Sequence, residues 1–213
     1  MNRKVLVVAA HPDDEVLGCG GTIANHADSG DQVQVLIVAE GATSRLQQRD
    51  RIEASEELFS LARSAKRAGS ILGAAGVELL DLPDNRLDSI DRLDLIKQIE
   101  QLVQRHQPQL VYVHHVGDVN IDHRRIHEAV VTACRPTPGH CVNCLLSFEV
   151  ASSTEWQPPG SAPAFQPNWF VDISSQWDRK RQALEEYLSE MRPMPHARSV
   201  EAVEHLARWR GAQ

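Results

Sequence analysis

Long apolar runs are missing from this 213-residue chain. No stretch approaches the roughly 20 consecutive apolar residues of a membrane-spanning helix, so such a span is excluded. Positive charge is also scarce: 22 Lys and Arg stand against 29 Asp and Glu, for a formal net charge of -7. That balance argues against nucleic acid or another polyphosphate partner. There are only four cysteines, Cys19, Cys134, Cys141 and Cys144. His140-Cys141-Val142-Asn143-Cys144 has the form of half a zinc site, but a second CxxC is lacking, as is a thioredoxin-like strand-to-helix setting. The Gly-rich stretch Gly18-Cys19-Gly20-Gly21 lacks full GxGxxG spacing and a Walker lysine, which weakens a nucleotide-binding reading. The first strand signal begins within four residues of Met1, leaving no room for a signal peptide. The expectation is a cytoplasmic protein, and a homo-oligomer is compatible with these features.

At this length one domain over residues 1–213 is expected, with a substantial core. The first half alternates strand and helix signals. Residues 5–9, 33–39, 77–82 and 108–114 read as strands, the first of them short, β-branched and buried. Residues 22–29, 47–72 and 90–106 read as helices, the last carrying Leu93, Ile96, Ile99, Leu102 and Val103 on one face. Asp122 is the candidate N-cap for a further helix running to Cys134, with pairing to a ligand imidazole as the alternative. Strands alternating with helices predict an α/β, Rossmann-like, mainly parallel sheet with helices on both faces. Beyond Pro136, residues 145–151 and 169–172 read as strands, and residues 174–190 and 199–210 as helices. The Pro/Gly/Ser-rich stretch 157–167 between those strands reads as a loop near the site.

What stands out is His11-Pro12-Asp13-Asp14-Glu15, placed directly after the first strand, together with Asp122-His123 after the fourth. In open α/β sheets ligands bind outside the carboxyl ends of strands. His11, Asp14 and His123 supply two imidazoles and one carboxylate, a three-ligand zinc set with a fourth position open to water. Iron(II) would suit the same mixed nitrogen and oxygen donors. Asp13 is the acid left over, a general base for that water. The simpler reading is that these groups cap the following helix. Glu15 is expected to start that helix, where the dipole favours an anion.

These segments carry a resemblance. Ala10 to Glu15 with Gly18 to Thr22, and Gly117 to His123, resemble the two metal-loop motifs of the PIG-L (LmbE-like) zinc-dependent N-deacetylases. The likeness extends through Leu82 to Asp88, Ser152 to Trp156 and Pro195 to Ser199, and so over nearly the whole chain. It implies hydrolysis of the N-acetyl group of an amino sugar of N-acetylglucosamine type, free, nucleotide-linked or in a glycoconjugate. Where the family often has a histidine three residues before the ligand histidine, this chain has Asn120. Asparagine can donate a hydrogen bond to an oxyanion but cannot shuttle a proton. His114, His115, His127 and His196 are the candidate proton donors, each with a structural role as the alternative. Family members use an arginine in this region for substrate; Arg45, Arg49 and Arg51 follow the second strand with spacing that departs from the family's, so Arg51 is the substrate candidate and a solvated helix face the alternative for each. Glu155, beside hydroxyls and Trp156, suits a sugar ring, and His196 lies in a loop rich in functional side chains. An inactive metal- or sugar-binding relative is the rival reading, motivated by Asn120 and by the chain ending at Gln213.

Overall fold

The computed structural model describes residues 2–213. Five parallel strands form one sheet: β1 (Lys4–Ala9), β2 (Gln32–Ala39), β3 (Gly76–Leu82), β4 (Leu110–His114) and β5 (Cys144–Phe148), in the order β3-β2-β1-β4-β5. The connecting helices are α1 (Asp14–Asp28), α2 (Ser55–Leu72), α3 (Arg92–His106) and α4 (Ile121–Ala133), followed by α5 (Trp177–Glu185) and α6 (Val200–Gly211). The expected α/β class with a parallel sheet is the observed one.

The pleat of β1 divides the core. Val5 and Val7 pack with Leu17 and Ile23 of α1, Leu61 and Leu72 of α2, and Leu184 of α5. Leu6 and Val8 pack on the opposite face with Ile96 and Ile99 of α3 and Ile126 and Val130 of α4. Alternate residues of one strand therefore serve two layers of helices, which is why β1 reads as a continuous apolar run. The chain winds outward from β1 to β3 and then returns to the other side of β1 as β4. The reversal falls between the carboxyl ends of β1 and β4, the place where such sheets bind ligands.

Several boundaries differ from the sequence reading. Helix α1 starts at Asp14 and contains all of Gly18 to Gly21, where the sequence placed its start at Thr22. Each helical glycine costs up to about 1 kcal/mol of propensity, and close packing accounts for two of them. A Cβ on Gly18 would collide with the Phe148 ring, and one on Gly21 would lie 2.6 Å from Ile173 Cδ1. The glycines thus seat α1 against neighbouring chain and do not form a phosphate-cradling turn. Helix α2 begins only at Ser55, because the Asp50 carboxylate accepts from the backbone N–H of Ile52 and Glu53 in a turn. Residues 169–172 form no strand; Trp169 and Phe170 are exposed there. Residues 149–151 leave the sheet after β5, and α5 is shorter at both ends than the expected 174–190. The cap of α4 is Asn120, whose Oδ1 accepts from Asp122 N at 2.8 Å; Asp122 is used elsewhere. No helix among the described residues is long and apolar enough to cross a membrane.

Candidate active site

The loop leaving β1 and the first turn of α1 set the floor of the site. Asp14 is completely buried, and its Oδ2 lies 3.2 Å from His11 Nδ1 and 3.1 Å from His123 Nε2. His123 reaches this point from the first turn of α4, across the sheet's switch point. Ligand atoms of His11, Asp14 and His123 lie within 4.8 Å of one another. Asp14 Oδ1 is buried without a hydrogen-bond partner, an orphaned acceptor of the kind that folded proteins rarely leave unexplained. Two imidazole nitrogens, a carboxylate and an unfilled acceptor suit a divalent metal ion.

The outer nitrogen of each imidazole is held by a further carboxylate. Asp122 Oδ2 lies 3.0 Å from His11 Nε2 and also accepts Asn85 N at 2.7 Å; its Oδ1 accepts Leu87 N at 3.0 Å. Asp118 Oδ2 lies 3.1 Å from His123 Nδ1, and Asp118 in turn accepts the hydroxyls of Ser153 and Thr154. Carboxylates behind metal-binding histidines fix the ring and its tautomer. Asp84 Oδ1, 3.3 Å from His11 Nε2, gives a second ligand group of His11, Asp84 and Asp122. That group is the weaker one, because backbone N–H groups already occupy both Asp122 oxygens.

The electrostatics favour positive charge here. Burial works against protonation of His11, yet hydrogen bonds to Asp122, Asp14 and Asp84 carry its pKa well above the ordinary value. Burial also opposes His123, and Asp14 and Asp118 still raise it to about 9. Burial alone would push Asp14 up, but the His123 and His11 imidazoles hold it well below the usual range. His114 stacks on His123 at 3.8 Å, and burial, then the neighbouring His123, push its pKa down. Its Nε2 accepts Ala10 N at 2.8 Å, and its buried Nδ1 has no hydrogen-bond partner among the described residues.

Asp13 faces a different neighbourhood from Asp14. Its backbone sits at φ 123°, ψ -32°, a conformation that costs a non-glycine residue about 1–3 kcal/mol. This turn, and not an extended loop, separates the two acids: Asp14 points to the imidazoles while Asp13 Oδ2 accepts Arg198 Nη1 at 2.7 Å. Burial raises the Asp13 carboxyl well above the normal carboxylate range, and Arg198 pulls it back. Glu15 anchors the same turn, its Oε2 accepting Asp13 N at 3.1 Å and its Oε1 accepting the Tyr187 hydroxyl at 2.5 Å. Burial lifts Glu15 to about 7.

The remaining residues singled out by sequence are placed unevenly. Asn120 donates from Nδ2 to Asn85 Oδ1 at 2.9 Å while capping α4. Arg51 is occupied by Glu40 Oε2 at 2.6 Å and by the Asp81 carbonyl at 3.1 Å; Arg49 also pairs with Glu40, and Arg45 with Glu57 and Glu190. None of these three guanidinium groups contacts the His11–Asp14–His123 cluster. Exposed Glu155 accepts Ser152 N at 2.6 Å, and His196 packs edge-on to Trp156 at 5.7 Å, with Nδ1 accepting Arg198 N at 3.0 Å. His115 bonds the Pro163 carbonyl and His127 the His114 carbonyl. All four cysteines are free, and His140 bonds the Ala133 carbonyl, so the half zinc site gains no other half among the described residues. Asp84 and Asp118 had no individual role in the sequence reading, and Arg198 only a share in a loop that suits substrate contact. Their signal was position alone, in polar clusters after β3 and β4 and before α6.

Comparison with known proteins shows the family and the fold. The family model PIG-L, GlcNAc-PI de-N-acetylase, matches residues 6–134, which include Asp13 and all three candidate ligands. The diacetylchitobiose deacetylase of Thermococcus kodakarensis is 27% identical over 197 residues, 88% of this chain and 70% of that protein. The 4-oxalmesaconate hydratase of Pseudomonas putida is 28% identical over 204 residues, 86% of this chain and 72% of that protein. Among solved structures, the conserved protein TT1542 from Thermus thermophilus superposes with a TM-score of 0.74 at 26% identity, covering 99% of this chain and 89% of that one. With a match that spans more than half of its length, the chain belongs to the PIG-L, GlcNAc-PI de-N-acetylase, family.

Proposed function

We propose that this chain is a zinc-dependent N-deacetylase that hydrolyses the N-acetyl group of an N-acetylglucosamine-type amino sugar. The observation that carries this reading is the pairing of a buried His11–Asp14–His123 set with a separately held acid, Asp13, one residue away. When bound, a zinc ion would supply Lewis acidity, activating water and polarising the acyl oxygen. Iron(II) suits the same donors. Asp13 then accepts the attacking water's proton and returns it to the departing amine as the C–N bond breaks, giving acetate and a free amino sugar. Ser152, tied to Asp13 through Arg198, begins a segment running to Trp156 that packs against His196 and suits a sugar's hydroxyls and apolar face. The four free cysteines fit a reducing compartment, in keeping with a cytoplasmic enzyme.

A hydratase acting on a carboxylate substrate is the alternative raised by one relative's name. It fits less well, since Arg45, Arg49 and Arg51 are neutralised by Glu57, Glu190 and Glu40 and the chain is acidic overall. Zinc-loaded protein should release acetate from N-acetylglucosamine, N,N'-diacetylchitobiose or a glycoside of either. Hydration of an unsaturated polycarboxylate without acetate release from any N-acetyl sugar would replace the deacetylase reading.

Asn120 is proposed as the donor to the acyl oxygen, after its amide turns from Asn85. Asn120→Ser keeps a good helix cap but withdraws the amide. Turnover should fall by about 10²–10³, with metal content and folding intact. Turnover equal to the parent's would leave Asn120 as a cap only.

A further inference from the structure

The guanidinium of Arg198 makes two contacts through two different nitrogens. Nη1 donates to Asp13 Oδ2 at 2.7 Å, and Nε donates to Ser152 Oγ at 2.6 Å. Both partners are non-glycine residues in the left-handed region, Asp13 at φ 123° and Ser152 at φ 67°. Each turn is sterically unfavourable by itself and persists only where surrounding contacts hold it. Ser152 is held from its other side by Glu155, which accepts its N–H at 2.6 Å. The next residue, Ser153, bonds Asp118, the carboxylate behind His123. One side chain thus links the loop that carries the acid to the loop that braces a candidate ligand. The guanidinium is itself well placed to be rigid: its side chain is only 22% exposed, and Ser199, the next residue, caps α6.

We propose that Arg198 is the positioning residue for Asp13. Its fork spans the two strained turns and holds Asp13 by Oδ2, while no hydrogen bond among the described residues uses Oδ1. That oxygen is the one left to take a proton. The proposal rests on the deacetylase reading for Asp13's task, but the bridge itself is a property of the fold. A planar fork with donors at fixed separation can serve two acceptors at once; a lysine ammonium on a flexible stem cannot reproduce that geometry. Small misplacement of a catalytic group costs about 10²-fold in rate.

The test is steady-state acetate release by Arg198→Ala, Arg198→Lys, Asp13→Asn and the Arg198→Ala/Asp13→Asn double variant, with metal content measured for each. Arg198→Ala should lose about 10²-fold in kcat, with KM and metal content near the parent's. Arg198→Lys should recover only part of that loss. Added guanidinium ion should partly rescue Arg198→Ala but not the double variant, and the double variant should be little slower than Asp13→Asn, since the two act as one unit. A raised KM with kcat unchanged would make Arg198 a substrate-holding residue and overturn the proposal, as would losses that multiply in the double variant. If the parent releases no acetate at all, the deacetylase reading is what has failed. The bridge is then read by denaturant unfolding of the same four proteins. Midpoint shifts that fail to add support it, and shifts that add overturn it.

Discussion

Asp13→Asn should retain its metal and lose about 10²–10⁴ in turnover. The amide keeps the size of the carboxylate but cannot accept the attacking water's proton. Asp13 contributes none of the converging ligand atoms, and its Oδ2 is held by Arg198. Elemental analysis should therefore show the parent's metal content, and a product amino sugar should still bind. Loss of the metal together with activity would mean that Asp13 is a ligand, and the division of labour between the two acids would be wrong.

Asp14→Asn should fail the other way. Its carboxylate sits between His11 Nδ1 and His123 Nε2, with one oxygen still unpartnered. Replacing that anion by a neutral amide removes the only charged ligand in a three-residue set. Metal affinity should drop, so that protein purified without added zinc is nearly metal-free and inactive, and excess zinc restores part of the activity. The same substitution leaves the Asp13–Arg198 pair untouched. Metal content equal to the parent's, with activity lost, would mean that the ion is held elsewhere, for instance by His11, Asp84 and Asp122.

The contrast between these neighbours shows what a sequence of this kind discloses. The candidate ligands could be singled out because they follow apolar runs that read as buried strands, β1 before His11 and β4 before His123. Parallel topology then put both strand ends on one edge. Of the carboxylates behind the imidazoles, Asp122 was legible as a partner for a ligand imidazole, but Asp118 was not: it is itself held by Ser153 and Thr154, 35 and 36 residues along the chain. Arg198 meets Asp13 across 185 residues, and no local pattern encodes that meeting. Arg51 looked available from its place after β2, yet the buried carboxylate of Glu40 on the same sheet edge takes its charge. The start of α1 was hidden by glycines that act as spacers against Phe148 and Ile173. Residues 169–172 have strand-forming side chains, but no neighbouring strand pairs with them.

The proposed reaction is amide hydrolysis at a metal held by His11, Asp14 and His123. The most direct measurement is acetate release from N,N'-diacetylchitobiose and N-acetylglucosamine by one preparation, as purified, after complete chelation, and after zinc is restored. Acetate should be released in the first state, not in the second and again in the third, with about one zinc bound per chain when active. Release that persists after elemental analysis has verified metal removal would contradict it, as would fully zinc-loaded protein that frees no acetate from any N-acetyl amino sugar.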